Sequence, residues 1–572
     1  MNSGRRWRLG TGERNRYTLF ILLLVEFASA FSQQSPSDSS PQPPAHSPPS
    51  SAQLEVQLQK TSARIGSITI VNNNVFATDT PEENNALFRL ANKLHVVSRP
   101  SILRKQLLFK EGDVYVERLL RESERILRSN RYLFDAEIVP VALHDGIVDL
   151  EVRTRDVWTF KPGIQYGRSG GTNSTGFELQ ESNLFGLGKE ITVAQKTDVD
   201  RTTNEFRYFD PQIFGSHARM ELSHSTNTDG RRRNAYFDLP FYALDTRWSA
   251  SASALDWERT DQRYSLGKVA DEFQHQQELL QLLGGTSSGL QNGWVRRFTY
   301  GAAYTEDYFA PTTTALSAAV LPANRQFAYP FVGFIVFDDQ FEKRRNEDQI
   351  ERTEDLFTGK YLQASIGWAG EHFGSSANAA ILALGAGNTM EWRDRRHTLV
   401  MQGDATGRIE DGAIANGSLN TAARYYWRMA RRQLFYASLS ASITKSLDAD
   451  RQLTLGGDSG LRGYPLRYQD GSAVALLTLE HRIYTKYYLF RIFHVGGATF
   501  FDAGRTWGRG NAPVASGVEA NKGLLKDIGL GLRFGSSRSA FGNVIHVDLA
   551  FPLDGDRSIH RVQFIVETKS SF

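Results

Sequence analysis

Cysteine is absent from the 572 residues. That excludes thiol catalysis, disulfide staples, cysteine-ligated zinc and a lipidated N-terminal cysteine. An excess of one charge is also lacking: 66 Lys+Arg stand against 63 Asp+Glu, a formal net charge of +3. Five arginines (Arg5, Arg6, Arg8, Arg14, Arg16) and two glutamates (Glu13, Glu26) fall within residues 1–30, so the remainder is neutral. A neutral chain does not bind nucleic acid through bulk charge. Long apolar runs are missing too. Leu19–Val25 is far shorter than the roughly 20 apolar residues that a membrane-spanning helix needs. A mean hydropathy of −0.39 nevertheless leaves a transmembrane barrel open, because half of each of its strands is polar.

What is present begins with a targeting signature. The arginines precede Leu19–Val25, and Ala28-Ser29-Ala30 supplies small residues at a cleavage point. Residues 1–30 therefore read as a secretory signal peptide. Residues 31–63 follow as a Pro/Ser-rich linker, with six prolines between Pro36 and Pro49.

Residues 64–156 read as one small domain of order β-α-α-β-β. Arg64–Val71 alternates like a strand. Glu82–Lys93 has helical spacing at Leu87, Leu90 and Leu94, and Val116–Arg128 at Leu119, Leu120, Ser123, Ile126 and Leu127. Phe134–Leu143 and Ile147–Arg155 form a hairpin around Asp145-Gly146.

Residues 157–572 repeat one pattern, alternating segments of about ten residues separated by Gly, Asp, Asn and Ser turns. Phe435–Ile443 sets Phe435, Ala437, Leu439, Ala441 and Ile443 against Tyr436, Ser438, Ser440 and Ser442. Lys526–Gly535 sets Ile528, Leu530, Leu532 and Phe534 against Gly529, Gly531 and Arg533. The fold class is mainly β: a transmembrane antiparallel β-barrel in the outer membrane, with sixteen to twenty segments by alternation. Residues 260–290 and 375–395 are ambiguous. The acid-rich 338–355 reads as a mobile extracellular loop, and Arg231-Arg232-Arg233 as a solvated hairpin turn rather than a lipopolysaccharide contact.

Near the C-terminus stands Leu455-Gly456-Gly457-Asp458-Ser459-Gly460-Leu461-Arg462-Gly463-Tyr464-Pro465. This resembles the loop signature of the BamA/TamA/FhaC superfamily of outer-membrane proteins, the bacterial surface antigen type. Gly456, Gly457, Leu461, Arg462, Gly463 and Tyr464 match its positions. The resemblance implies that the loop folds back into the lumen and places Arg462 against wall acids. Alternation independently puts Glu480 opposite Leu477, Leu479 and Ile483, and Asp502 opposite Phe501, so both can face inward to a forked guanidinium. Asn183-Leu184-Phe185-Gly186-Leu187-Gly188 and Asp210-Pro211 match further family motifs. Phe109–Asp113 and Arg128–Phe134 resemble the POTRA (polypeptide-transport-associated) domain. The family implies about sixteen strands, five of them after the loop. Phe564, Val566 and Phe572 read as a C-terminal strand signal, interrupted by Thr568 and Ser570.

The same chain contains decoys. Gly457-Asp458-Ser459-Gly460 resembles a protease nucleophile turn, but it lacks the next glycine and a histidine motif. Gly186-Leu187-Gly188-Lys189 fails the phosphate-loop spacing, and no His-Glu-x-x-His occurs. The expectation is a non-enzymatic protein with no cofactor and no metal. It would sit in the bacterial outer membrane, touching its lipid and lipopolysaccharide, with the POTRA domain in the periplasm. The resemblance implies capture of client polypeptides at a POTRA edge strand, followed by insertion or translocation. It leaves room for a periplasmic or inner-membrane partner. A two-partner secretion pore of the FhaC kind and a passive structural or diffusion barrel are the alternatives.

Overall fold

The computed structural model describes residue 58 and residues 62–513, 523–538, 544–555 and 559–569. The expected signal peptide, nearly all of the linker and Phe572 lie outside these residues.

The small domain contains β1 (Arg64–Asn73), α1 (Ala86–Leu94), α2 (Pro100–Arg104), α3 (Glu117–Arg128), β2 (Leu133–His144) and β3 (Ile147–Asp156). Its sheet order is β1-β3-β2, with β3 parallel to β1 and antiparallel to β2. The β2–β3 turn works because Asp145 and Gly146 both take positive φ (50° and 77°), which matches the strand twist. Helix α3 buries Leu120, Ser123 and Leu127. It packs on a core that includes Ile65, Leu103, Val148, Leu150 and Val152. Helix α1 behaves differently. It buries only Phe88, stacked on Phe76 at 4.0 Å, and turns Leu87, Leu90 and Leu94 outward.

The chain then enters a barrel. Its first ten strands are β4 (Phe160–Ser169), β5 (Thr172–Leu184), β6 (Lys189–Thr197), β7 (Thr202–Asp210), β8 (Arg219–Asn227), β9 (Gly230–Leu239), β10 (Trp248–Ser265), β11 (Lys268–Gln291), β12 (Trp294–Pro311) and β13 (Arg325–Asp338). A hairpin of β14 (Phe341–Arg345) and β15 (Thr353–Phe357) stands outside the wall. The wall resumes with β16 (Lys360–Ala369), β17 (Ala379–Trp392), β18 (His397–Glu410), β19 (Ala413–Ala430) and β20 (Gln433–Lys445). A second excursion holds β21 (Leu453–Leu455) and β22 (Gln469–Gly471). The last strands are β23 (Ala473–Leu489), β24 (Phe493–Trp507), β25 (Leu525–Ser536), β26 (Val544–Pro552) and β27 (Gln563–Lys569).

Twenty antiparallel strands close the barrel, β27 returning to β4. The count of about sixteen is therefore corrected to twenty. Sixteen is what the family resemblance implies. The segments themselves ran up to twenty, and the ambiguous 260–290 is the long β10–β11 hairpin, turned at Leu266-Gly267. Arg231, Arg232 and Arg233 lie within β9 rather than in a turn, and Arg231 donates to Glu258 of β10 at 2.6 Å.

The wall is apolar outside and polar inside. Leu439, Ile443, Ile528, Leu530 and Leu532 are exposed, whereas Ser438, Ser440, Ser442 and Arg533 on the same strands are buried. A soluble sandwich would invert this arrangement. Hydrocarbon around the barrel reconciles it, since the closed ladder leaves the backbone satisfied there. With an even strand number, β4 starts and β27 ends at the mouth that carries the small domain.

A closed ladder resists detergent until heated. The chain should migrate faster on gels when unboiled than when boiled. Equal mobility, or recovery in a soluble fraction, would contradict the architecture.

Candidate functional site

The lumen holds two inserts that enter from opposite mouths. The first is the 446–472 excursion, from the mouth far from the small domain. It turns back on itself through β21–β22 pairing, and a backbone bond from Gly457 to the Pro465 carbonyl (3.0 Å) closes its neck. Two glycines are needed for contact. A Cβ on Gly457 would lie 2.7 Å from the Tyr464 carbonyl and 2.9 Å from Gly170 of the β4–β5 turn. A Cβ on Gly463 would lie 2.7 Å from Asp527. Leu461 and Tyr464 are fully buried with Leu453, Leu455, Tyr468, Leu476 and Leu525. The Tyr464 hydroxyl donates to the Lys526 carbonyl at 2.8 Å.

This fold delivers Arg462 to the wall. Its Nε and Nη2 donate to Asp502 Oδ2 (2.7 Å) and Oδ1 (3.0 Å), and its Nη1 donates to Glu480 Oε1 (2.9 Å). The guanidinium also lies 3.4 Å from the centre of the Phe500 ring. Glu480 stands opposite Phe500, and Asp502 opposite Thr478, in the β23–β24 register, so one wall patch presents both carboxylates and the ring. Burial works against the charge on Arg462, but Asp502 and Glu480 outweigh it and raise its pKa above the ordinary value.

Four further residues belong to the cluster and were missed in the sequence. Arg482 donates from Nε to Glu480 Oε2 (2.9 Å), Arg533 pairs with Asp548, Asp548 lies 3.7 Å from Arg462, and Asp527 accepts from the Gly463 amide (2.8 Å). Alternation held the signal: Arg482 follows Glu480 by two residues on the same face, and Asp548 sits between Val547 and Leu549.

The second insert is the 339–359 hairpin. Strand direction places it at the small-domain mouth, which corrects the expected mobile extracellular loop at 338–355. Glu347, Asp348, Gln349 and Ile350 are buried. The acids here serve as acceptors rather than as a solvated surface. Glu354 accepts the amides of Glu347, Asp348 and Gln349 at 3.0–3.1 Å, and Asp348 accepts from Tyr426 (3.2 Å). Ile350 packs among Tyr426, Tyr436, Tyr484 and Val544 of the wall. The base of the hairpin is tied to the small domain. Arg128 donates from Nε and Nη2 to both oxygens of Asp355 (3.0 and 2.8 Å), and Lys343 pairs with Glu124 at 2.7 Å.

The two inserts share one wall carboxylate. Glu480 holds Arg462 of the far-mouth loop on one oxygen and Arg482 on the other, and Arg482 Nη1 donates to the Glu347 carbonyl of the hairpin at 2.7 Å.

The barrel also has a thin line in its wall. Strand β4 pairs with β5 along all of Phe160–Ser169, and β27 pairs with β26 along Val544–Ala550. Between β27 and β4, only Val566 and Arg168 pair among the described residues. That register sets Gly167, Tyr166 and Gln165 across from Glu567, Thr568 and Lys569 without pairing, and Ile164 is 90% exposed. Phe564, on β27, points outward.

No protein-family model matches this chain, and no curated protein does. Solved structures similar to it include BamA from Haemophilus ducreyi lacking POTRA domains 1–3, at 11% identity and TM-score 0.36, covering 97% of this chain and 94% of that one. CdiB from Escherichia coli is 13% identical (TM-score 0.45; 98% and 85% covered), and CdiB from Acinetobacter baumannii 12% (TM-score 0.41; 96% and 96% covered).

Removing Arg462 strips the buried Asp502 of the cation that holds both its oxygens and leaves Glu480 to Arg482 alone, at a cost of about 3–5 kcal/mol. Arg462→Ala should expose 455–468 to protease and lower folded-barrel yield. Arg462→Lys should rescue poorly, because a point charge does not bridge two carboxylates as a fork does. Asp502→Arg should match Arg462→Ala, with the double variant less than additive. Wild-type behaviour of Arg462→Ala in both assays would contradict this role.

Loosening the hairpin is a separate test. Asp355→Ala and Arg128→Ala should raise ion conductance in planar bilayers, and deletion of 346–352 should raise it further. Unchanged conductance in the deletion variant would show that the hairpin does not block the lumen.

Proposed function

We propose that this chain is an outer-membrane protein assembly factor that works at the β27–β4 line. It would sit in the bacterial outer membrane with the small domain, read as a single POTRA domain, in the periplasm. The observation that carries the reading is the wall itself: among the described residues, nineteen strand junctions are ladders and one is a single pair. Unsatisfied strand edges are costly in hydrocarbon, so an incoming strand that completes them is stabilised there. The Arg462 loop supports the same reading. It rests against the β4–β5 turn, where Ser169 Oγ donates to the Gly457 carbonyl at 3.1 Å, so the lumen cluster braces one side of that line.

Client capture is assigned to the small domain's free sheet edge. Strand β1 is already covered by backbone bonds between Ala63, Ile65 and Gly112, Asp113, Tyr115, and in β2 the Ala136 carbonyl and Ile138 amide are taken by Arg128 (2.8 Å) and Glu124 (2.9 Å) of α3, which leaves the far end of β2, 139–144, as the edge for an added strand. The role is mechanical and needs no catalytic residue or cofactor.

Passage of one exported polypeptide through the lumen is the second reading. The size of the barrel favours it, since withdrawal of both inserts from a twenty-strand wall would leave a channel. A passive diffusion barrel fits less well, because the lumen is occupied from both mouths.

A cross-link separates the two active readings, and the absence of cysteine makes it clean. Arg168→Cys with Val566→Cys should form a disulfide across the line. The locked barrel should stay folded and heat-modifiable, while outer-membrane protein levels fall in cells that depend on it. Tyr166→Cys with Thr175→Cys, across β4–β5, serves as the harmless control. Full activity with the line locked would reject lateral insertion and favour the lumen.

A further inference from the structure

We infer that the small domain does not hang free below the barrel but lies on the adjacent phospholipid leaflet, through α1 and a set of phenylalanine turns. The inference rests on the membrane-spanning reading of the barrel and goes beyond the assembly role.

Helix α1 is amphipathic with its apolar face in the wrong direction for a core. Leu87, Leu90 and Leu94 fall at i, i+3 and i+7, with exposures of 67%, 52% and 65%, and Val96 continues the stripe. Nothing among the described residues covers them. The opposite side of the helix is the one that packs, with Phe88 and Ala91 against Val75, Phe76 and Trp158. An interfacial helix carries such a stripe with cations beside it. Arg89 and Lys93 are both exposed on α1, and the helix contains no acidic residue. Long cationic stems of this kind reach up to lipid phosphates while their neighbours enter the acyl boundary.

The position of α1 is fixed against the edge of the barrel. Just after the helix, the Arg99 amide donates to the Gly186 carbonyl (3.0 Å) and Arg99 Nε to the Phe185 carbonyl (3.0 Å), both in the β5–β6 turn. Asn183 Nδ2 donates to Ser98 Oγ at 2.9 Å. Before the helix, Glu83 pairs with Arg538, next to the end of β25. The stripe therefore lies beside the thin β27–β4 line, at the rim where the lipid-facing band ends.

The turns of that rim carry the second observation. Phe185, Phe214 and Phe490 all adopt positive φ (56°, 51° and 52°), a conformation that a bulky side chain rarely takes. They sit in the β5–β6, β7–β8 and β23–β24 turns, all at the small-domain mouth. These residues are exposed by 65%, 103% and 75%. Polar residues of that mouth, Asn292, Arg393, Asp394, Arg395 and Arg491, share the conformation, whereas at the far mouth the described non-glycine residues of positive φ include Leu266, Asp411, Ser446 and Arg467, and none is aromatic. Strained backbone that presents an uncovered aromatic ring fits a headgroup zone, where such rings are stabilised. Helix stripe and phenylalanines form one apolar shelf in the plane of the leaflet.

Single cysteines in this cysteine-free chain test the idea directly. Leu90→Cys, Phe185→Cys and Phe214→Cys are spin-labelled in the full chain, which is then reconstituted in phosphatidylethanolamine vesicles with phosphatidylglycerol. Relaxation by oxygen, which partitions into lipid, is compared with relaxation by a water-soluble nickel chelate. Leu439→Cys on the outer wall is the lipid control, and His144→Cys, exposed at the distal β2–β3 turn, is the aqueous one. All three test labels should follow Leu439→Cys, with oxygen relaxation dominant. A nickel-dominated Leu90→Cys alongside an oxygen-dominated Leu439→Cys would overturn the shelf while leaving the barrel reading intact. Shielding from both agents would mean that a protein surface covers α1, and would also overturn it. A nickel-dominated Leu439→Cys would reject the membrane barrel, and the shelf with it.

Discussion

Glu480 is the group on which the interior depends. Its two oxygens accept from two different arginines, Arg462 at 2.9 Å and Arg482 at 2.9 Å, and each arginine secures a different insert. Burying a carboxylate between strands is costly by itself, and breaking such a group by removing one partner costs more than the pair contributes. The loop from the far mouth and the hairpin from the small-domain mouth are therefore not independent plugs. They meet on one charge. From there the hairpin continues to Asp355 and Arg128, which is the last residue of α3. A contiguous set of ion pairs and hydrogen bonds thus runs from the far-mouth loop to the small domain.

This arrangement sets a braced interior beside one sparsely paired junction. Nearly all strand junctions are full ladders, and the lumen is braced by fully buried arginines such as Arg259, Arg297 and Arg533. The exception is the β27–β4 line, where Val566 and Arg168 are the single pair among the described residues. Around that line cluster the Arg462 loop, through Ser169 and Gly457, and helix α1, through the β5–β6 turn. In the proposed role, a wall that is firmer elsewhere would part at this line, and the interior cluster braces one side of it.

Much of this was legible in the sequence because strand alternation is a strict period of two. The period assigned Leu439, Ile443, Leu530 and Leu532 to one face and Ser440 and Arg533 to the other, and the structure has those faces outside and inside. It also put Glu480 and Asp502 on the inner side, where they meet Arg462. What periodicity does not encode is destination. The spacing of Leu87, Leu90 and Leu94 is helical, but nothing in it says that the face would be left uncovered. The acids of 338–355 looked like a solvated loop because their partners, Tyr426, Arg428 and Arg482, lie about eighty residues or more away in the chain. Strand number was obscured by β10 and β11, of 18 and 24 residues, which outrun the ten-residue unit of the pattern.

One carboxylate joins the two inserts, and hydrogen–deuterium exchange on Glu480→Gln tests that coupling most directly. The substitution keeps the shape and removes the charge shared by Arg462 and Arg482. Exchange should quicken together in the 455–468 loop and in the 339–359 hairpin, at opposite mouths of a barrel whose wall strands stay protected. Faster exchange in only one of the two segments, or in neither, would contradict the account.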